Sequence, residues 1–304
     1  MTSATERPIG IIGLGRMGGA LAGRLLASGV TVIGHDIDDG RTQAFSKGGG
    51  RPAPSAADVA RYAEVVLVLL PSAAALVAAA SGPAGLETAV GPGSVVVEMS
   101  TLAVDDKVAL RDRLAAAGAT VLDAPISGTA IQVETGDIVV YASGDRAGID
   151  LARLALAPAC RDVVDVGAFG NGTRVKLLAN MLVAIHIAAA GEALAVARRS
   201  GLDVGEVLRL LAMGAGSSRM LEVRGPMMAE RRYEPASMSV GLFEKDLRLA
   251  ADLATSAGTS VPLFEAAVEI YRAASARGLD GVDTAVAHEI SLTGGAGPAG
   301  GDQA

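Results

Sequence analysis

The chain has 304 residues, a mass of 30.3 kDa and a formal charge of −7, and at roughly 150 residues per domain that length predicts two domains. Half of its residues are apolar and 19% are charged, which excludes a disordered chain, while 39 glycines without a G-x-y period exclude collagen. The acidic balance argues against a nucleic-acid partner, which would call for a basic patch.

Chain order then sets the architecture. A short apolar run, Ile9 to Ile12, ends in glycines, and Arg16 to Ser28 follows with a helical pattern. Further apolar runs come at Val30–Ile33, Val65–Leu70, Val95–Val97, Thr120–Leu122, Ile138–Ala142 and Val163–Val166, with helix-length stretches such as Ala103–Ala117 and Ala147–Leu156 between them. Short continuous apolar strands alternating with helices predict an α/β fold of the Rossmann type, a doubly wound, mostly parallel sheet covered on both faces. Beyond Gly170 strand patterns give way to helical ones: Arg174–Ser200, Val204–Leu211, Ser217–Ala229, Phe243–Ala257 and Pro262–Ala276. Gly201, Gly225, Gly258 and Gly278 are expected at or near helix ends, where a left-handed cap suits glycine. The domain organisation predicted is 1–168 for the dinucleotide-binding domain and 169–293 for an all-α domain, with a disordered tail over 294–304.

Mean hydropathy is +0.41, which raises the question of a membrane. The uncharged stretch Val65–Leu86 is punctuated by Pro71-Ser72 and Gly82-Pro83, so it reads as strand, turn and helix. The stretch Leu177–Gly191 reads as a buried helix too short to span. Neither is assigned to a membrane. The first residues, Met1 to Pro8, carry no apolar core of a secretory signal, and a cytoplasmic protein is expected. One cysteine, Cys160, excludes an internal disulfide framework and reads as a small buried hydrophobe. The histidines, His35, His186 and His288, lie far apart, and no metal site is expected.

Gly13-Leu14-Gly15-Arg16-Met17-Gly18 matches G-x-G-x-x-G, follows a strand, opens a helix and precedes Asp36 at the end of the next apolar run. That context is the dinucleotide fingerprint: Gly13 for the tight turn, Gly15 for backbone approach to the pyrophosphate, Gly18 for helix-on-strand packing. Asp36 is the expected acceptor for the adenosine ribose hydroxyls, so NAD is preferred, with NADP possible because Arg41 stands nearby. Further on, Lys176 and Asn180 share one face of an apolar helix with Val183, Ile187 and Gly191. Two readings of the lysine stand. Either burial lowers its pKa into the range of a general acid/base, or it reaches to solvent at the helix start.

These motifs together resemble the β-hydroxyacid dehydrogenase family, of the 3-hydroxyisobutyrate dehydrogenase and tartronate semialdehyde reductase type, over about residues 8 to 293. The resemblance implies cofactor contacts from the glycine loop, from Leu70-Pro71, from Thr101 in Glu98-Met99-Ser100-Thr101, and from Lys245 in Lys245-Asp246-Leu247. Asp123-Ala124-Pro125-Ile126-Ser127-Gly128 is similar to the family's substrate signature, which makes Ser127, Gly128 and the following Thr129 substrate-binding. The Gly172…Lys176…Asn180 spacing resembles the catalytic helix, with Lys176 as catalytic lysine and Asn180 orienting the substrate. The implied activity is hydride transfer between a nicotinamide and a small 3-hydroxy acid or its semialdehyde, by a homodimer or homotetramer associating through the helical domain. Three residues depart from the family pattern: Thr129 replaces a second glycine, Asp137 a threonine and Arg219 a tryptophan. Arg219 either pairs with a substrate anion or is simply solvated. Two rivals remain on the same fold: an imine reductase, which the presence of Lys176 disfavours, and a cofactor-binding module without turnover.

Overall fold

The computed structural model describes residues 7–293, so the tail expected over 294–304 and the start of the chain lie outside the described residues. The chain divides into two compact units, Met1–Lys176 and Leu177–Ala304.

The first unit is built on a six-stranded sheet of β1 (Ile9–Ile12), β2 (Val32–His35), β3 (Arg51–Pro52), β4 (Val65–Val68), β5 (Val95–Glu98) and β6 (Thr120–Asp123). Its order is β3-β2-β1-β4-β5-β6 and every pairing is parallel, which is the Rossmann order, with the switch point beside β1. β1, β2, β4, β5 and β6 are largely buried on both faces, which explains why their sequences are runs and not alternations, whereas the two-residue edge strand β3 is exposed. Ile11, Leu67, Val97 and Leu122 point to one core, packed by Leu21 and Leu25 of the helix Arg16–Ala27 and by Ile149 of the helix Arg146–Leu156. Ile12, Val66, Val68 and Val96 point to the other, covered by Val59, Leu76, Leu110 and Leu114. A second sheet joins β7 (Ile126–Ser127), β8 (Val139–Ala142) and β9 (Asp162–Asp165), with β7 antiparallel to β8 and β9 parallel to it. Val65–Leu86 folds as strand, turn and helix, with the Ser72 side chain capping Ala73–Ala80. Cys160 is half-buried against the first core, and burial pushes its thiol up to about 11.

The second unit is helical, with Val204–Ala212, Arg219–Glu230, Val240–Ser256, Pro262–Ala276 and Ala287–Thr293 joining the remainder of a long helix, Asn171–Arg199. Leu177, Ala184, Ile187 and Leu194 of that helix enter a core with Phe243, Leu247, Phe264 and Tyr271. Phe243 meets Tyr271 edge-on at 5.6 Å between ring centroids, a geometry the ring quadrupoles favour.

Two expectations are corrected here. The apolar stretch expected to be too short to span belongs to a helix of 29 residues, long and apolar enough to cross a membrane by length and composition. Gly225 does not end a helix. It sits inside Arg219–Glu230, where a Cβ would come within 2.4 Å of Leu208 Cδ1, so the glycine serves close helix packing. That helix ends instead on Arg231 at φ 52°, while Gly201, Gly258 and Gly278 take the positive φ expected of them.

Candidate functional site

The glycine loop shows why its residue types are needed. Gly13 has φ +92°, and a Cβ there would lie 2.1 Å from the Leu69 carbonyl oxygen; one on Gly18 would lie 1.9 Å from the Gly13 carbonyl oxygen. Neither clash can be relieved, since both partners are backbone. Gly15 differs: a Cβ there would meet only Arg41 Nη1, at 3.8 Å, so its surroundings are open. Gly15 also caps the helix Arg16–Ala27, which opens with Arg16 and Met17, and does so without a side-chain hydrogen bond. A helix N-terminus in front of open space presents the positive end of its dipole, which suits an anion such as a pyrophosphate.

Asp36 lies just beyond β2. Its Oδ2 accepts from the Leu14 amide at 2.7 Å and its Oδ1 from the Asp38 amide at 2.9 Å, so the carboxylate ties the loop to the end of the neighbouring strand. The Arg41 guanidinium stands 3.5 Å from Asp36 Oδ2, half exposed, while the carboxylate is nearly buried. The glycine cradle fits the close backbone approach that a dinucleotide pyrophosphate needs.

The exits of β4 and β5 are fastened to each other. The Leu70 amide, just before Pro71, donates to Ser100 Oγ at 2.9 Å, and the Ser100 amide donates to Glu98 Oε1 at 3.0 Å, with half-buried Thr101 next in the chain. Ser127 ends β7 half-buried, and Gly128 takes φ 148°, where a Cβ would press within 2.5 Å of Ile138. Thr129 opens the helix Ala130–Thr135, with its amide and hydroxyl both directed to Gln132 Oε1 at 3.0 and 3.3 Å. The threonine that stands in place of a family glycine therefore has a local partner.

Lys176 and Asn180 lie one turn apart on the helix Asn171–Arg199, the lysine half-buried and the asparagine buried. Asn180 Nδ2 donates to Asp246 Oδ2 at 2.9 Å, and Lys245 Nζ donates to Asp246 Oδ1 at 2.7 Å. Asp246 thus joins two residues singled out in the sequence, while its own role was not foreseen. It was legible only as the middle residue of Lys245-Asp246-Leu247.

The other departures from the family pattern find partners close by. Asp137 pairs with Arg161 at 2.9 Å. Arg219 is exposed in the first turn of its helix, 3.4 Å from Glu222 Oε2. His35 Nδ1 lies 3.0 Å from the Ala53 carbonyl oxygen, as befits a residue at a strand edge. Among the described residues no three His, Cys, Asp or Glu side chains form a group that could hold a metal ion.

Sequence reasoning missed a buried cluster altogether. Lys107, Glu98 and Asp123 are all fully buried, with Lys107 Nζ 2.7 Å from Glu98 Oε2 and 2.8 Å from Asp123 Oδ1. The Glu98 contact is an ion pair without hydrogen-bond alignment. Burial pulls the Lys107 ammonium down, but Glu98 and Asp123 more than offset it and hold its pKa above the ordinary lysine value. A signal existed: Lys107 shares the inward face of the helix Val104–Ala115 with Leu110 and Leu114, at i+3 and i+7.

Residues 8–167 match the family described as the NAD binding domain of 6-phosphogluconate dehydrogenase. Residues 170–290 match the one described as NAD-binding of NADP-dependent 3-hydroxyisobutyrate dehydrogenase. The L-threonate dehydrogenase of Cupriavidus necator is 35% identical over 286 residues, which cover 94% of this chain and 96% of that enzyme. The mitochondrial 3-hydroxyisobutyrate dehydrogenase of Rattus norvegicus is 31% identical over 281 residues, 90% of this chain and 84% of that one. A crystal structure of 3-hydroxyisobutyrate dehydrogenase from Salmonella typhimurium matches with a TM-score of 0.83 at 30% identity, covering 94% of this chain and 100% of that one. With both halves matched in order and the nucleotide loop folded as its glycines require, the chain belongs to the β-hydroxyacid dehydrogenase family of NAD(P)-dependent oxidoreductases.

Proposed function

We propose that this protein interconverts a small 3-hydroxy acid and its semialdehyde, with Lys176 as the general acid/base. The observation that carries the reading is the helix Asn171–Arg199, which presents Lys176 and a buried Asn180 one turn apart in a chain whose glycine loop is shaped for a dinucleotide. The nicotinamide, when bound, accepts or returns the hydride. Lys176 takes the proton from the substrate hydroxyl in oxidation, returns it in reduction, and in its cationic form stabilises the developing alkoxide. Ser127, Gly128 and Thr129 bind the substrate, with the Ser127 hydroxyl assigned to its carboxylate. Asn180, held by Asp246, fixes its orientation. Gly13, Leu14, Gly15, Arg16, Met17, Gly18, Leu70, Pro71, Thr101 and Lys245 hold the cofactor.

Asp36 supports a preference for NAD, because a carboxylate beside the ribose repels a 2′-phosphate. Arg41, 3.5 Å from it, offers a counter-charge that leaves NADP usable. The acting form is a homodimer or homotetramer assembled through the helical domain, residues 169–293, and the protein works in the cytoplasm with no nucleic-acid or membrane partner. L-threonate and 3-hydroxyisobutyrate, named in its relatives, are the first substrates to try. The test is a panel of short hydroxy acids and semialdehydes with NAD and NADP, followed by nicotinamide absorbance. Turnover of at least one, faster with NAD, is expected. Reduction of a cyclic imine in place of the hydroxy acids would move the chain to imine reductase chemistry, and tight cofactor binding with no turnover would make it a binding module.

A further inference from the structure

The buried cluster ends on the helix that carries Lys176, and nothing in the reaction as proposed uses it. Asp123 closes β6, and its carboxylate is fully buried. Oδ1 accepts from Lys107 Nζ at 2.8 Å and from Thr173 Oγ1 at 2.7 Å. Oδ2 accepts from the Thr173 amide at 2.8 Å, and Ser143 Oγ lies 3.1 Å from it. That same Ser143 oxygen accepts from the Gly172 amide at 3.0 Å. Gly172 and Thr173 form the first turn of the helix Asn171–Arg199, and Thr173 stands at i−3 from Lys176, on the same face. Gly172 is required for this approach, since a Cβ there would come within 2.3 Å of the Tyr141 carbonyl oxygen and 2.7 Å of that of Asp123. On the other side of Lys107, Glu98 receives the Ser100 amide, and Ser100 in turn receives the Leu70 amide.

We infer that Asp123, braced by Lys107 and Glu98, is a positioning residue for the general acid/base: its carboxylate grips the first turn of the Lys176 helix through Thr173 and Ser143, and the same ion cluster anchors the hydrogen-bonded exits of β4 and β5 that lead to Leu70, Pro71 and Thr101. The inference rests on the reading of Lys176 as acid/base. The physical basis is that a buried carboxylate gives four short acceptor contacts in fixed directions and cannot relax into water. The backbone that starts the helix is therefore located against the ends of β6 and β8. Acid/base transfer requires the lysine within hydrogen-bond reach of the substrate oxygen, and a misplacement of ~1 Å costs about 10²-fold in rate.

The test uses Thr173→Val, which removes the hydroxyl donor to Asp123 with little change of volume, and Thr173→Ser, which keeps it. Turnover is read with whichever of L-threonate or 3-hydroxyisobutyrate the wild type accepts, NADH binding is followed by fluorescence, and amide exchange is measured on the cofactor-free protein. Thr173→Val is expected to lower kcat about ten-fold or more while KM and NADH affinity stay within about two-fold, and Thr173→Ser to stay near wild type. Exchange in residues 171–178 should quicken in Thr173→Val and not in β1. Combined with Lys176→Ala, Thr173→Val should lower the residual rate less than about two-fold, because two changes acting through one group are not additive. An equal loss in both backgrounds, a loss of NADH binding, or an unchanged kcat and exchange rate would overturn the inference. A Lys176→Ala protein turning over like wild type would instead remove the acid/base reading, while the exchange data would still report whether Asp123 holds the helix start.

Discussion

Among the described residues each unit holds a fully buried ion cluster, and the two are built differently. In the helical unit, Arg224 and Asp283 are buried as a formally neutral pair, Nε to Oδ1 at 3.0 Å, with the Ser237, Met238 and Ala285 amides and the Ser237 hydroxyl completing the carboxylate. Burial alone would raise the Asp283 carboxyl, but Arg224 and those amides hold it below the ordinary carboxylate value. All of its partners are fold connections. In the first unit one ammonium faces two carboxylates, formally one negative charge in excess, and the excess is met by backbone amides of Ser100 and Thr173. A buried charge imbalance must recruit dipoles from the surrounding loops, and here those loops lead to Thr101 and Lys176. The balanced cluster knots its own unit together, whereas the unbalanced one holds segments to which cofactor contact and acid/base chemistry are assigned in the proposal.

Breaking one cluster and then the other gives the largest expected effects. Lys107→Met and Arg224→Met should each cost about 3–5 kcal/mol or more, read by urea unfolding, because the first strands two buried carboxylates and the second strands one. They should part in activity: under conditions where both are folded, Arg224→Met keeps kcat near wild type and Lys107→Met does not. A matching loss of kcat in both would erase the contrast.

The glycines sharpen the same comparison. Gly18→Ala sets a methyl against backbone and is expected to abolish NADH binding. Gly225→Ala meets the end of the Leu208 side chain, which can move, so it should cost about 1–3 kcal/mol and leave NADH binding alone. Smaller again is Asp36→Asn, expected to weaken NAD about ten-fold and narrow its advantage over NADP, measured as the ratio of the two Kd values.

The smallest effect is one of pH. His288 is buried in the helical unit with its Nδ1 3.1 Å from the Gly191 carbonyl oxygen, and burial lowers its pKa from 6.5. Its neutral form therefore contributes stability above pH 6.5, and that contribution is lost as pH falls through the lowered folded value. Unfolding free energies between pH 7 and 5 should show this slope in wild type and a shallower one in His288→Gln.

Much of the molecule was legible before folding. Doubly buried strands read as runs, so β1 and β4 to β6 could be placed; Arg51–Pro52 and Ile126–Ser127, at two residues each, carry no period to detect. Gly13 and Gly18 announce themselves because only glycine fits against a carbonyl. Gly225 misled for the same reason, since glycine at a helix end and glycine under a neighbouring side chain look alike in one dimension. The Lys107 cluster was hidden because Glu98 and Asp123 were read inside separate motifs, while Lys107, 16 residues before Asp123, lies on a helix that carries no motif. Asp246 was hidden because its partner Asn180 lies 66 residues away, on a different helix.

Replacing Lys176 by alanine tests the central claim most directly. Pre-steady-state reduction of NAD by an accepted hydroxy acid, with NADH binding followed alongside, should show a rate about 10²–10⁴ lower at neutral pH with cofactor affinity unchanged. A hydride-transfer rate that stays within about two-fold of wild type would contradict the assignment of the proton transfer to Lys176.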